Sequence, residues 1–421
     1  MLAWIVTIGE PLPRASSEDR LHRSGMIAQA LLAAGHEVVW WGSSFDHFTK
    51  QHHYIGDKTL HPQERFRMEL LDGGGYRRNI SFQRIRDHRR LAAKFRTAVE
   101  KETRLPDVIL CSFPSIELAD AASDFGKRNG IPVYLDIRDL WPDIFVGAAP
   151  GPLRGVARLA LTPLISQTRR AMKNSAGVIG ISPGYLDWAL TYAGRARRDS
   201  DALFPLGYQP PTPALDQLSA AETRLLQKGV DPSRPIAWFI GTFGRTYDLT
   251  PVIETARKID GKSPVQFVLS GNGEDLERYE ALSKNLSNVV FTGWMNAAEI
   301  AWVSRHAQIG LAAYAQGAPQ GLPNKFFEYL SAGIPLVSAL QGEGAALLEE
   351  HDCGLSYDPS RPEDFFKQLS VYLGDPSFAR ASGARGRALY ESRFSADAIY
   401  PKITHFLEAG ARAKHIPQAN A

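Results

Sequence analysis

Lys325 and Glu328 stand three residues apart in the stretch Gly317-Ala-Pro-Gln-Gly-Leu-Pro-Asn-Lys-Phe-Phe-Glu-Tyr-Leu-Ser-Ala-Gly-Ile-Pro335, a spacing that puts a cation and a carboxylate on one helix face. Gly321 lets the preceding loop run close to a ligand. Pro323 suits the first helical position, because its fixed φ fits a helix start and its missing N–H costs nothing there. Gly333 and Pro335 stop the helix, and Leu336-Val337 opens a buried strand. A helix start behind a glycine loop presents free N–H groups and the positive dipole end to an anion. The combination suits a sugar nucleotide, with Lys325 on a phosphate and Glu328 on hydroxyls. An ordinary helix with a solvated Lys–Glu pair is the alternative reading. Phe326 and Leu330, four apart, are expected on the core side.

A second constellation lies in Leu135-Asp-Ile-Arg-Asp-Leu-Trp-Pro142. Asp136, Arg138 and Asp139 fall at the end of a predicted strand, Val133–Ile137. Two carboxylates and a guanidinium there can hold sugar hydroxyls or organise a proton path; equally, an Arg–Asp pair can cap the next element. Gly241-Thr-Phe-Gly244-Arg245 follows the predicted strand Ile236–Ile240, and Gly271-Asn272-Gly273 follows Val265–Ser270. Trp294 closes Val289–Trp294 in the same manner. Near the start, Glu10 sits in the Gly9–Pro13 loop, and His22-Arg23 lies on the first helix as acceptor or phosphate contacts or as a polar helix face. His47, His52 and His53 cluster in one loop, but their spacing suits no standard structural zinc set.

These residues need a scaffold, and the hydrophobic pattern supplies one. Strands Leu2–Ile8, Glu37–Trp41, Asp107–Ser112, Val133–Ile137 and Gly177–Ile181 alternate with helical stretches, and the same alternation resumes at Ile236. It predicts parallel sheets covered on both faces, whose ligands sit beyond the carboxyl ends of the strands. The first helix is expected to start at Ser16-Ser17 and stop at Gly35. No G-x-G-x-x-G occurs in the first loop, which gives dinucleotide binding there no support. Prolines between Phe204 and Pro235 mark a linker. The expected division is 1–208, 209–393 and a final segment, 394–421, whose helix returns to the first domain and ends in a frayed tail.

A chain of 421 residues implies two domains. Hydrophobic content of 44% and charged content of 22% are those of a globular protein. Cys111 and Cys353 alone do not make a disulfide framework and fit a reducing cytoplasm. The apolar start Met1–Ile8 lacks a cationic lead and a small-residue cleavage site, so it reads as a strand and not a signal peptide. Net charge of +3 does not by itself imply nucleic acid. Tyr76–Arg104 is locally basic, with ten Lys or Arg against Asp87, Glu100 and Glu102, and Gly151–Lys173 adds Arg154, Arg158, Arg169, Arg170 and Lys173 around apolar residues. Either is a solvated surface helix or a face resting on an anionic membrane surface. No stacking platform accompanies the charge, which argues against nucleic acid as partner.

The run Phe326-Phe-Glu-Tyr-Leu-Ser-Ala-Gly-Ile-Pro-Leu-Val337 resembles the nucleotide-sugar helix of the retaining glycosyltransferase family 4. Glu328 matches the second Glu of the family's Glu-x7-Glu pattern, used on the nucleotide ribose, and Gln320 stands at the first. Asp139 matches the Asp of the family's His-Asp-x-Trp-Pro motif, with Arg138 in the histidine position. Arg245 corresponds to the arginine that clamps the donor diphosphate, and Lys325 to a second cation. The resemblance implies the α/β GT-B fold: two Rossmann-like domains with parallel sheets facing a central cleft. It implies retention of configuration, no metal, no prosthetic group and a UDP-sugar donor. The catalytic set is then Asp136, Arg138, Asp139, Arg245 and Lys325. The donor set is Gly241, Gly244, Arg245, Gly271, Asn272, Gly273, Trp294, Gln320, Gly321, Leu322, Asn324, Lys325 and Glu328. Glu10, His22 and Arg23 are assigned to a sugar or polyprenyl-diphosphate-linked oligosaccharide acceptor. Gly9-Glu-Pro-Leu-Pro13 and Trp40–His47 resemble the aminosugar (fucosamine) transferase subgroup of bacterial surface-polysaccharide synthesis. The expected location is the cytoplasm, with the two basic stretches allowing a peripheral place on the inner face of the cytoplasmic membrane. A sugar-nucleotide epimerase or hydrolase on this fold is a competing reading. So is a nucleotide-sugar sensor or inactive subunit, which Gln320 and Arg138 favour.

Overall fold

The computed structural model describes residues 1–13, 21–79, 81–318 and 321–413. Within them lie two sheets. The first holds β1 (Leu2–Val6), β2 (Glu37–Ser43), β3 (Lys58–Gln63), β4 (Phe66–Leu71), β5 (Val108–Phe113), β6 (Val133–Ile137), β7 (Gly177–Gly180) and β8 (Ala202–Leu203), in the order β3-β4-β2-β1-β5-β6-β7-β8. The second holds β9 (Ile236–Ile240), β10 (Gln266–Ser270), β11 (Val289–Gly293), β12 (Ala307–Ala312), β13 (Leu336–Ser338) and β14 (Gly354–Ser356), ordered β11-β10-β9-β12-β13-β14. Every pairing is parallel except β3 with β4.

Central strands such as β1 (Leu-Ala-Trp-Ile-Val) are buried along their whole length, as apolar runs without alternation are when helices cover both sheet faces. In the first sheet Trp4 stacks on Phe125 with ring centroids 5.6 Å apart and tilts against Trp41 at 5.3 Å. Trp41 in turn meets Phe95 edge-on, so the helices Phe82–Val99 and Ile116–Asn129 share this core. In the second sheet Trp238 and Tyr329 cross edge to face at 5.5 Å.

The chain divides into two compact units, Met1–Gly207 with Ile399–Ala421, and Tyr208–Ala398. Three elements differ from the sequence expectation. The first helix spans Arg23–Ala33, a late start; Ser16 and Ser17 lie outside the described residues. The proline-marked stretch is not all linker, because it contains the helix Leu215–Gln227, which buries Leu218, Ala221 and Leu225 and is tied by Arg224 to Glu299 at 3.3 Å. The hairpin β3–β4 is an addition that charged, weakly alternating residues had hidden. The last helix, Ala396–Ala413, belongs to the first unit from Ile399 onward, where Phe406 meets Tyr134 at 4.9 Å. No helix among the described residues is long and apolar enough to cross a membrane.

Parallel strands place the segments after their carboxyl ends on one edge of each sheet. Arg138 and Asp139 follow β6 in the first unit. In the second, Gly241 follows β9, Gly271 follows β10 and Trp294 follows β11.

Candidate functional site

In the second unit these strand ends and the start of the helix Asn324–Ser331 enclose a cavity of about 310 Å³. Its lining is Ile240, Gly241, Thr242, Tyr247, Ser270, Gly271, Trp294, Met295, Ile300, Asn324, Lys325 and Glu328. The helix is locked to the sheet by Tyr329, whose hydroxyl contacts the carbonyls of Trp238 and Leu311 at 3.1 Å each and accepts from the Ile240 N–H at 3.2 Å. Gly310 on β12 makes room for that ring, since a Cβ there would fall 2.6 Å from it. Lys325 is one turn before Tyr329, on the same face, so the lock carries the amine into the cavity.

Lys325 is the electrostatic centre of this site. Its Nζ is buried and has no hydrogen-bond acceptor among the described residues. It lies 3.7 Å from the ring centroid of Tyr247 and 5.0 Å from that of Phe239. Burial pushes the amine down to about 7, against the pull of Glu328 in the opposite direction. Ring faces attract a cation but do not replace the hydrogen bonds an ammonium loses on leaving water. The orphaned donor is therefore set for an anion. Pro323 caps the helix and Asn324 is its first residue, one position later than the sequence implied, and Gly333, at φ +69°, ends it as expected.

The glycines serve closer neighbours than a ligand. A Cβ on Gly241 would fall 1.9 Å from Lys325 Nζ, so the bare position makes room for the amine. Gly271 and Gly273 have φ of +144° and +157°, and a Cβ on either would strike the backbone carbonyl of Gly241 or Phe243. Their Gly-x-Gly pattern lets two loops interlock, with the Phe243 N–H donating to the Asn272 carbonyl at 2.9 Å. Gly321 makes room for the Glu343 carboxylate, 2.5 Å from where its Cβ would be.

Several expected donor residues stand apart from the cavity. Arg245 points to solvent with its side chain 95% exposed, and its ion-pair partner is Glu274 at 3.8 Å. It is absent from the cavity lining. Gly244, Asn272, Gly273, Gly321 and Leu322 are likewise absent from the lining, and Gln320 lies outside the described residues. Conversely, the sequence reading passed over Tyr247, Thr242, Ser270, Met295 and Ile300. The aromatic at 247 is set by an isolated bridge to Tyr314, a long-range contact with no local signature.

In the first unit the strand-end carboxylates separate into two roles. Asp136 is fully buried and saturated: Arg23 reaches it through Nε at 2.9 Å and Nη2 at 3.0 Å, and Arg138 through Nε at 2.7 Å. Arg23, only 4% exposed, also donates to the Pro205 carbonyl at 2.7 Å. Arg138 pairs with Glu10 and donates to Ser24 Oγ at 2.8 Å, while Glu10 accepts from the Ser24 N–H at 3.0 Å. Burial pushes the Arg138 guanidinium down to about 10. Asp136 and Arg23 are thus internal ties and not substrate contacts, and Glu10 and Arg138 are engaged with each other. His22 is exposed, edge-on to Phe48 at 5.6 Å. Asp139 differs: it is half-buried and makes no ion pair among the described residues. Its oxygens accept from the Leu140 N–H at 2.8 Å and Trp141 Nε1 at 3.1 Å, and burial raises its pKa.

Among the described residues no group of three or more His, Cys, Asp or Glu side chains is placed to hold a metal ion. The clustered histidines have separate partners: His47 the Tyr76 hydroxyl, His52 Asp72, and His53 Asp46.

Residues 234–375, which include the whole cavity lining, match the family model for glycosyl transferases group 1. No curated protein sequence matches the chain. Among solved structures, sucrose-phosphate synthase from Thermosynechococcus elongatus aligns with TM-score 0.71 at 16% identity, over 98% of this chain and 99% of that one. HepE from Anabaena in complex with UDP-glucose aligns with TM-score 0.63 at 14% identity, over 97% and 100%. WaaG, a glycosyltransferase involved in lipopolysaccharide biosynthesis, aligns with TM-score 0.62 at 14% identity, over 97% and 99%. At such identities these likenesses show the fold, which is GT-B.

Proposed function

We propose that this glycosyltransferase of the GT-B fold moves a sugar from a UDP-sugar to a sugar acceptor, with Lys325 receiving the donor diphosphate. The observation that carries this reading is the buried Lys325 amine, aimed into a cavity and lacking an acceptor. A diphosphate supplies both charge and acceptor oxygens. The cavity volume is within the usual range for small-molecule sites, roughly 300–1,000 Å³. Trp294, Met295 and Ile300 offer it an apolar side for a base, and Glu328 a carboxylate for ribose hydroxyls. That HepE was solved with UDP-glucose supports the choice of nucleotide.

As the bond from the anomeric carbon to the diphosphate breaks, negative charge gathers on the leaving oxygen. Lys325 and the N–H groups at the start of Asn324–Ser331 stabilise it where water is largely excluded. The departing phosphate takes the acceptor proton on the same face of the sugar, and configuration is retained. No separate protein base is required, which accords with Arg138 being tied to Glu10 and Asp136. Asp139 contacts the acceptor. An aminosugar as the donated group and a polyprenyl-diphosphate-linked acceptor complete the proposal.

The surface of the first unit supports work at a membrane. The helix Arg154–Ala160 buries no residue, and Leu153, Val156 and Leu159 are exposed beside Arg154 and Arg158. In the basic stretch Lys94, Arg96 and Arg104 are paired with Asp57, Asp120 and Glu37, whereas Arg77, Arg78, Arg86, Arg89 and Arg90 are exposed and make no ion pair among the described residues. Apolar side chains beside uncompensated arginines suit an anionic lipid surface. The function is tested by UDP release from a panel of UDP-sugars with lipid-linked and free sugar acceptors. Acceptor-dependent release that is lost in Lys325→Ala supports it, and release independent of any acceptor contradicts it.

A further inference from the structure

Lys50 and Arg84 lie together in the first unit, and neither makes an ion pair among the described residues. Arg84, in the first turn of the helix Phe82–Val99, places its guanidinium carbon 4.5 Å from the ring centroid of Trp141 and 5.4 Å from that of Tyr76. Lys50 Nζ is 4.9 Å from the same Tyr76 ring. Asn79 holds both: its side-chain oxygen accepts from Lys50 at 2.6 Å and its carbonyl from Arg84 at 3.1 Å. Arg84 also reaches His88 Nε2 at 3.4 Å. Among the described residues the hydrogen-bond acceptors of the two cations are neutral groups and neither cation makes an ion pair, while Asp46 near Lys50, and Asp87, Glu117 and Asp139 near Arg84, act on them through space.

The histidines beside the two cations add no positive charge. Both cationic side chains are half-buried. Burial and then the charges of Lys50 and Arg84 push His47 down to about 4, and burial with Arg84 pushes His88 down to about 3. Both histidines are consequently neutral near pH 7. Aromatic faces hold cations in place but leave their outer N–H groups open. The group also adjoins the strand-end carboxylate: Trp141, under Arg84, donates to Asp139 Oδ2.

We propose that Lys50 and Arg84, braced over Tyr76 and Trp141, form an oxyanion-binding subsite for the acceptor, so that the acceptor sugar carries a phosphate, diphosphate or carboxylate beside the hydroxyl to be glycosylated. The proposal rests on the transferase reading for its ligand's role but not for its binding. A guanidinium and an ammonium together contact a phosphoryl or carboxylate group from two directions, and the rings beneath them fix both side chains in place. Asp139, an anion, stands where a neutral hydroxyl is to be received, which separates the charged end of the acceptor from its reacting end.

The test uses the full chain saturated with UDP, so that the donor cavity is filled. Binding of inorganic pyrophosphate, glucose 1-phosphate, glucuronate and glucose is measured by calorimetry in the native protein and in Lys50→Gln, Arg84→Gln and the charge-retaining Arg84→Lys. The expected result is binding of at least one anion, weakened tenfold or more in each Gln variant and largely kept in Arg84→Lys, with glucose affinity alike in all four proteins. Preference for the two phosphates assigns a phosphorylated acceptor, and preference for glucuronate a uronic acid. Anion affinity unchanged in both Gln variants, or binding of glucose as tight as that of every anion, overturns the subsite. UDP affinity measured in the same proteins keeps the two ideas apart: a wild-type chain that fails to bind UDP undoes the donor reading, whichever way the anion titrations fall.

Discussion

Lys325 Nζ stands 3.7 Å from the ring centroid of Tyr247 and has no hydrogen-bond acceptor among the described residues. The pair joins the first turn of a helix to a loop following β9, and it places a half-neutral amine in the one part of the second unit that the group 1 family match and the cavity share. Its chemistry predicts both a pH response and a stability penalty.

Donor affinity is expected to fall at alkaline pH. A diphosphate favours the charged amine, whose pKa without ligand is about 7, so binding raises that pKa. Affinity is then fully present below about pH 7 and declines as pH rises above it, by up to tenfold per unit. UDP-glucose is the suitable probe, because its diphosphate has no group titrating in this range. Calorimetry in buffers of different ionisation heat should find proton uptake between pH 7 and 8; proton release would contradict the assignment.

Lys325→Met should stabilise the ligand-free protein. The folded amine lies below its unfolded value, near 10.4, so the unfolded chain binds more protons between those limits and the native state gains stability as pH rises from 7 toward 10. Near neutral pH, removing the orphaned ammonium is expected to contribute about 1–3 kcal/mol, the penalty of an unsatisfied buried polar group. Urea unfolding of both ligand-free proteins at pH 6.5 and 9 measures it, with the larger difference at pH 6.5.

Asp136→Ala should damage folding before chemistry. It would leave the buried Arg23 and half-buried Arg138 without their shared carboxylate, and removing one partner of a buried pair costs about 3–5 kcal/mol. Denaturant unfolding of the variant reads that loss. A stable Asp136→Ala protein with impaired turnover would instead return Asp136 to the catalytic set.

Vesicle flotation tests the surface reading. Binding to anionic liposomes should weaken as salt rises from 0.05 to 0.5 M, about the range over which screening becomes short. Val156→Asp with Leu159→Asp should reduce it at low salt, since each charge opposes burial in lipid. Equal binding to neutral and anionic vesicles would exclude the arginines from the contact.

Much of this site was legible from local pattern. The Lys325–Glu328 spacing and the strands before Gly241, Gly271 and Trp294 are short-range signals that the cavity uses, and the stop at Gly333 bounds its helix. What sequence could not separate was Asp136 from Asp139. One ends and the other follows the same strand, and the choice is made by Arg23 and Glu10, whose contacts with this segment span 113 and 128 positions. Arg245 could not be placed from sequence, because a glycine–arginine turn after a strand does not reveal which way the arginine leaves it. Tyr247 and the Lys50–Arg84 pair were missed for the same reason: each acquires meaning only from a ring or cation brought in from elsewhere in the chain. The helix Leu215–Gln227 was hidden by flanking prolines although Leu218, Ala221 and Leu225 have helical spacing.

The central claim is that the buried Lys325 amine holds the donor diphosphate while Asp139 serves the acceptor, and calorimetric UDP binding measured beside turnover in two variants tests it most directly. Lys325→Met should weaken UDP by about 1.5–3 kcal/mol, roughly 10- to 150-fold, as expected for losing a hydrogen bond to a charged group, and should lower turnover with it. Asp139→Asn should leave UDP affinity within about twofold while turnover falls by about a hundredfold or more, the low end for removing a group that acts on the reacting atoms. Unchanged UDP affinity in a folded Lys325→Met protein would contradict the account.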